Sequence, residues 1–479
     1  MAVLVVDVGT SGVRAALVEP DASVRLVEQR ALLPSRPSAG VVEVDGTALA
    51  EAIVAVASAA AAQGDVEAVA VANQRATTLV WDRSTGQPVG PGIGWQDLRT
   101  VGHCMSLRGQ GHRVAPNQSA TKLAFLLDHH DRDRTRDLCF GTIDCFAAFV
   151  LSDGAAHVTD ATNAAVTGLV VGDGSAWDGD RCAALRIDPR VLPTIVDSSG
   201  IVGHAGALPG APPIVALVGD QQGSLVGQGC VAPGSAKATF GTGAMVDAVV
   251  GANRPRFAVR GEAGTFPVVA WQLAGQRTWG VEAIMLSAGT CVEWLCNGLG
   301  LLQAVADAGP VAASVADAGG ALFVPALGGI GTPLWDFGAR GTLIGLDAST
   351  SRPQVVRAVL EGIAQRGADL VEAVAADTGM AIDRLRLDGG MSANETFVQL
   401  LADAIGRPVE LAAELEATTL GAGILGGLAC GWWSSLAEAA AAVTPRAVVE
   451  PRRRPDRGRW LDARERALRT VPFLSALDF

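Results

Sequence analysis

Val3-Leu4-Val5-Val6-Asp7-Val8-Gly9-Thr10-Ser11-Gly12 opens the chain, and its pattern returns about half a chain length later as Lys237-Ala238-Thr239-Phe240-Gly241-Thr242-Gly243. Each stretch reads as a strand, a turn of glycines and hydroxyls, and a second strand, over residues 13–18 in the first copy and 244–250 in the second. Glycine leaves backbone N–H groups open to phosphate oxygens, because no side chain stands in the way. Two such turns facing each other grip a nucleotide triphosphate from both sides. The expectation is an α/β protein of two like-folded lobes with a phosphate between them.

The bulk properties agree with a large two-lobed protein. At ~100–200 residues per domain, 479 residues make two large domains or more. The chain is 49% hydrophobic and 18% charged, enough to bury sizeable cores. A formal net charge of -12 argues against nucleic acid or an anionic membrane as the main partner. The basic run Arg452-Arg453-Arg454 near the end reads as a solvated linker. The first apolar run lacks a basic flank and is interrupted by Asp7, so no secretory leader is expected. No stretch reaches the ~18 apolar residues of a membrane span. The eight cysteines form no CxxC pair. Buried free thiols in a reducing cytoplasm are expected rather than a zinc or redox site. His129-His130 lacks ligand partners at metal-binding spacing and reads as helix surface. Only two lysines occur, Lys122 and Lys237, each beside a motif. They read either as ordinary surface lysines or as point charges for phosphate or polar ligands.

Working outward from the first turn, a third strand is predicted near residues 24–33, a helix over 47–62 after Asp45-Gly46, and a buried strand over 66–71. A short strand over 78–81 ends in the turn Asp82-Arg83-Ser84-Thr85-Gly86. Residues 102–213 are richer in helix. A buried strand over 214–218 then delivers Gly219-Asp220-Gln221-Gln222. The lobe boundary falls near 226–233, which divides the chain into 1–226 and 227–479. The second lobe continues with a helix over 352–377, a strand over 384–387 and the turn Asp388-Gly389-Gly390. In the first lobe the order strand, strand, strand, helix, strand indicates a mixed sheet, and the later elements complete a second α/β pattern.

Phosphoryl transfer asks for phosphate neutralisation, a metal ion, an aligned hydroxyl and often a base. Thr10 and Ser11 add hydroxyl donors to the first turn. Asp7, at the strand end, is placed to hold Mg²⁺ or its water shell. An acidic residue before a glycine turn also occurs in ordinary hairpins. Asp220 follows a buried strand, so its carboxylate faces a cleft and is the candidate base, with Gln221 beside it to orient the substrate. The alternative is an Asp capping the next helix. Asp388-Gly389-Gly390 with Asn394 reads as a turn against which an adenine ring lies flat, or simply as a tight turn with an Asn in the first helical turn.

These residues, with Asn73-Gln74-Arg75-Ala76-Thr77-Thr78, Val80-Trp81-Asp82, Gly94-Trp95-Gln96-Asp97-Leu98-Arg99-Thr100 and Pro325-Ala326-Leu327-Gly328-Gly329, form an ordered set of motifs along the chain. The chain resembles the FGGY carbohydrate kinases, and among them the glycerol kinase branch, over nearly its whole length. The resemblance implies an actin-like (ribonuclease H-like) fold whose two lobes close over ATP, Mg²⁺ and a small polyol or sugar. By motif position it implies Thr10, Ser11 and Arg14 at the first phosphate loop. Thr242 falls at the second, with Gly289 and Glu293 in the following helix. Gly390 and Asn394 become adenosine contacts. Arg75, Ala76, Trp95, Asn117, Asp220 and Gln221 become the polyol site, with Asp220 as base. A cytoplasmic enzyme, forming a homo-oligomer (dimer or tetramer), is expected.

Two positions depart from the glycerol kinase pattern, which has Glu where this chain has Ala76 and Tyr where it has Asn117. An unmatched substrate hydroxyl costs ~1–3 kcal/mol, so weaker glycerol binding or a somewhat larger polyol follows. The alternatives are a ketopentose kinase of the same family and a non-catalytic actin-like nucleotide-binding protein.

Overall fold

The computed structural model describes residues 1–477; Asp478 and Phe479, which end the expected 227–479 lobe, lie outside the described residues. Two mixed sheets carry the architecture. The first has six strands in the spatial order Ser199–His204, Pro213–Gly219, Val66–Asn73, Ala2–Gly9, Gly12–Val18, Val24–Ala31. The second has seven, in the order Phe266–Leu273, Gln276–Met285, Ala244–Gly251, Ala236–Phe240, Leu385–Asp388, Val409–Leu411, Ala447–Val449. Both follow one plan. An antiparallel meander grows from the strand–glycine turn–strand hairpin, two parallel strands are added on its other side, and an antiparallel strand closes that edge. The repeat read in the two glycine turns is therefore a repeat of whole sheets.

The predicted elements form where the pattern placed them. The first helix is Gly46–Ala61, and Asp45 caps it by accepting from the backbone N–H groups of Thr47 and Ala48 at 2.9 and 3.0 Å. It covers one face of the first sheet through Leu49, Ile53 and Val56, in a core shared with Phe146 and Leu151. The long helix Arg352–Thr378 does the same for the second sheet through Val359, Ile363 and Leu370, and ends on the left-handed Gly379.

The other face of the first sheet is covered by a helix from the far end of the chain. Ala417–Ala429 packs on Val3, Val5, Val18 and Ala70, and Ser199 Oγ donates to its Leu425 carbonyl at 2.7 Å. Its sequence, Leu-Gly-Ala-Gly-Ile-Leu-Gly-Gly-Leu-Ala, is poor for an isolated helix, because each glycine costs ~1 kcal/mol against alanine. The glycines permit close packing instead. A Cβ on Gly421 would lie 1.8 Å from the Gly223 carbonyl oxygen, and one on Gly227 would lie 1.9 Å from that of Ala417. The helix Asp220–Gly227 and the helix Ala417–Ala429 thus touch backbone to backbone.

Both lysines are fully buried, so neither is an ordinary surface lysine. All eight cysteines are unpaired. Arg452, Arg453 and Arg454 are exposed, as a solvated run should be. Among the described residues no helix is long and apolar enough to cross a membrane.

Candidate active site

Parallel pairing decides where the polar groups converge. Val8 stands opposite Asn73, and Gly219 stands opposite Asn73 on its other side. Three parallel strands therefore end abreast, and the residues just beyond them (the Thr10 turn, Gln74-Arg75 and Asp220) leave the same edge. Ligands of α/β sheets bind outside such carboxyl ends. In the second sheet Thr239 stands opposite Asp388, which sets the Gly241-Thr242-Gly243 turn beside Gly389-Gly390. Gly389 has φ +85°, and a Cβ there would meet the Phe240 carbonyl oxygen at 2.5 Å.

The first turn is braced by Gln74 and Trp95. Thr10 Oγ1 donates to Gln74 Oε1 at 3.2 Å, and the Trp95 indole Nε1 donates to Thr10 Oγ1 at 3.3 Å. Ser11 is exposed at the tip. Arg14 reaches back to Asp7, Nε to Oδ2 at 3.5 Å, and pairs with Glu416. Burial pushes the Asp7 carboxyl up to about 6; Arg14 opposes this, and the nearby Asp220 and Glu416 carboxylates add to it. Thr419 Oγ1 donates to Asp7 Oδ2 at 3.2 Å.

Asp220 is the first residue of its helix and Gly219 is the cap position. Its Oδ1 accepts from the Gln221 backbone N–H at 2.8 Å and lies 3.4 Å from Arg75 Nε. One oxygen thus serves the helix end, while Oδ2 has no protein partner among the described residues. Capping and an open carboxylate coexist on one side chain. Burial raises its pKa, and Arg75, then Lys237, pull the other way. Arg75 donates from Nη2 to Glu282 Oε2 at 2.6 Å, and its buried Nη1 has no protein partner.

Gln221 is held by the second sheet. Lys237 Nζ donates to Gln221 Oε1 at 2.5 Å and to Thr239 Oγ1 at 2.9 Å, and it pairs with Asp247 Oδ2 at 2.9 Å. With its oxygen occupied, Gln221 presents its NH₂ as a donor. Burial raises the Asp247 carboxyl to about 6, against Lys237 and helped by Glu282, which stands opposite it in the sheet.

The remaining expected residues occupy three places. Ala76 is buried with φ +60°, and its carbonyl accepts from Ser119 Oγ and Thr78 Oγ1, each at 3.2 Å. The Asn117 side chain is exposed, while its carbonyl accepts from Lys122 Nζ at 3.2 Å. Thr242 is exposed at the tip of the second turn. Gly289 N–H donates to the Gly241 carbonyl at 2.9 Å, and a Cβ on Gly289 would lie 2.6 Å from that oxygen. Glu293 ends the same short helix, exposed. Gly390 opens the turn after the second sheet's parallel strand. Asn394 sits at the cap of the helix Glu395–Ile405 rather than in its first turn, its side-chain oxygen accepting from Phe397 N–H at 3.0 Å.

Sequence reading missed Glu282, Asp247, Gln74, Glu416 and the Asp388 link. Asp388 Oδ2 accepts from Ser224 Oγ at 2.7 Å and Gln228 Nε2 at 2.8 Å, which ties the Asp220 helix to the Gly389-Gly390 turn. The available signal was a lone acid inside an apolar strand, as in Ala-Met-Val-Asp-Ala-Val-Val and Trp-Gly-Val-Glu-Ala-Ile. Such an acid is rarely buried without a partner.

Comparison with known proteins bears on the family and the fold. Residues 2–227 match the N-terminal domain model, and 236–430 the C-terminal domain model, of the FGGY family of carbohydrate kinases. A glycerol kinase of Aromatoleum aromaticum is 40% identical over 97% of this chain and 98% of its own length. The crystal structure of Plasmodium falciparum glycerol kinase with ADP superposes with a TM-score of 0.88 at 25% identity, covering 100% of this chain and 99% of that one. A xylulose kinase from Brucella ovis shares the fold, with a TM-score of 0.84 at 23% identity over 100% of both chains. With both halves of its length matched and its two sheets built on one plan, the chain belongs to the FGGY family of carbohydrate kinases.

Proposed function

We propose that this chain transfers the γ-phosphate of ATP to a hydroxyl of a small polyol, either glycerol or a somewhat larger one. The observation that carries the reading is Asp220. Its Oδ2 is open and its Oδ1 is beside Arg75, at the edge where the first sheet ends. The acceptor hydroxyl gives its proton to Asp220 as its oxygen attacks the γ-phosphorus, and ADP leaves with the electrons of the broken P–O bond. Arg75 and the Gln221 amide orient the acceptor as donors, and Trp95 walls the pocket next to Thr10. The backbone N–H groups of the two glycine turns receive phosphate oxygens.

The residues fit the nucleotide and its metal. A Cβ on Gly241 or Gly390 would meet no atom within 4 Å, so both leave open space above the backbone. The Asp7 carboxyl, raised to about 6 beside Asp220 and Glu416, is one that a hard divalent cation would relieve. No group of three or more metal-ligating side chains occurs among the described residues. Mg²⁺ is commonly held by one or two carboxylates, water and phosphate oxygens. When bound, Mg²⁺ supplies charge neutralisation on the phosphates.

Under this reading residues 1–226 carry the acceptor pocket and the first phosphate loop. Residues 227–479 carry the second loop, with Thr242, Gly289 and Glu293, and the adenosine contacts Gly390 and Asn394. A cytoplasmic location fits eight unpaired thiols. A homo-oligomer, dimer or tetramer, is part of the proposal, and light scattering of the purified chain tests it. The acceptor itself is tested by coupled ADP release over glycerol, tetritols, pentitols and ketopentoses. ADP release that depends on one of the polyols is expected. Release indifferent to every acceptor overturns the kinase reading, and release with ketopentoses alone replaces the polyol by a ketose.

A further inference from the structure

In a chain that uses arginine almost everywhere, Lys122 is one of two lysines and is fully buried. Its Nζ donates to three backbone carbonyls, those of Gly94 at 2.8 Å, Trp95 at 3.1 Å and Asn117 at 3.2 Å. Among the described residues no carboxylate pairs with it. Three converging acceptors match the three donors of an ammonium, whereas a neutral amine has two. A planar guanidinium does not place three N–H bonds on one nitrogen. The carbonyls come from two separate loops. One carries Trp95, whose indole reaches Thr10, and the other carries Asn117 at the start of the helix bearing Lys122.

We propose that Lys122 is a positioning residue of the acceptor pocket. Its ammonium ties the Trp95 loop to the Asn117 loop, so acceptor binding depends on that ammonium staying protonated. The proposal rests on the reading of Trp95 and Asn117 as acceptor-side residues. The charged and titratable groups facing Lys122 are Asp97 and Arg99, on the segment after Trp95, and Cys104 on the helix Val101–Gly109. Asp97 is already paired with Arg99 at 2.8 Å. Burial brings the Lys122 pKa down to about 7, with Asp97 opposing. As pH rises through that value the amine keeps two donors, one carbonyl loses its partner, and the two loops loosen.

The sign of this effect separates positioning from plain structural support. A lysine whose pKa is lowered by folding costs stability while it is protonated. Its own contribution to stability therefore rises with pH between about 7 and the unfolded value of 10.5. Acceptor binding, in contrast, weakens as pH rises through about 7.

The test uses the full chain with ATP and glycerol. The wild-type acceptor KM is expected to rise by about tenfold between pH 6 and pH 8.5, the scale of one lost hydrogen bond, while the ATP KM stays flat. Lys122→Met is expected to raise the acceptor KM at every pH, to leave the ATP KM unchanged and to abolish the acceptor pH dependence. Equal movement of both KM values, or a pH dependence that survives in Lys122→Met, overturns the proposal. If that variant does not fold, the wild-type profile decides, and a flat acceptor KM overturns the proposal. Trp95→Ala separates the two layers. An acceptor KM that ignores Trp95→Ala removes the acceptor reading itself. One that responds to Trp95→Ala but not to Lys122→Met removes only Lys122.

Discussion

Arg75, at the carboxyl edge of the first sheet, donates to Glu282 on the second sheet at 2.6 Å, and both side chains are nearly buried. A single guanidinium therefore joins the two sheets beside Asp220, 3.4 Å from its carboxylate. Removing one partner of a buried pair leaves the other charge unpaired, at a cost of ~3–5 kcal/mol. Glu282→Gln keeps a hydrogen-bond acceptor but discards the charge. It is expected to lower the melting temperature and raise the acceptor KM more than the ATP KM, as measured by differential scanning fluorimetry and steady-state kinetics.

Asp7 exchanges stability for function. Its folded pKa of about 6 lies above the ordinary aspartate value of 3.8. A carboxyl raised in this way contributes stability that is full below pH 3.8 and is lost as pH rises through 6. At pH 7.5 the wild type carries that loss. Asp7→Asn is expected to be more stable by about 1–3 kcal/mol there, with the advantage disappearing toward pH 4, while turnover falls sharply. Thermal melts across pH 4–8 check the sign.

Two classes of glycine are expected to fail differently. A Cβ on Gly421 would strike the Gly223 carbonyl at 1.8 Å, whereas one on Gly390 meets nothing within 4 Å. Gly421→Ala is expected to destabilise by ~1–3 kcal/mol through overpacking, and to displace the helix that begins with Asp220. Gly390→Ala is expected to melt like wild type and to weaken ATP binding. Calorimetric titration and melting curves distinguish the two.

The same glycines show where the sequence was readable. The strand–turn–strand hairpins, the helix after Asp45 and the placement of Asp220 at a strand end are local patterns, and each formed as predicted. The packing of Ala417–Ala429 on the first sheet is not local. Nothing in Gly421, Gly423 or Gly426 says which partner approaches, because a close contact is written in two distant segments. Glu282 and Asp247 were missed for a related reason. Each lies inside an apolar strand; Glu282 takes its meaning only from Arg75 in the other half of the chain, and Asp247 from its cross-strand pairing with Lys237 in the second hairpin.

Ala76 tests the breadth of the proposed acceptor pocket. Its backbone is already left-handed at φ +60° and the residue is buried, so a longer side chain there starts inside the protein rather than in solvent. Ala76→Glu restores the carboxylate of the glycerol kinase pattern. It is expected to lower the glycerol KM by about tenfold, one charge-assisted hydrogen bond, and to raise the KM of tetritols and pentitols. Paired kinetics on glycerol and erythritol read both directions.

Asp220 is the proposed group that takes the acceptor proton. The most direct measurement is ADP release by Asp220→Asn, beside its ATP dissociation constant. Turnover reduced by about 10²–10⁴-fold, with ATP affinity kept within a few-fold of wild type, is the predicted result. Turnover near the wild-type rate, or ATP affinity lost in step with turnover, would contradict it.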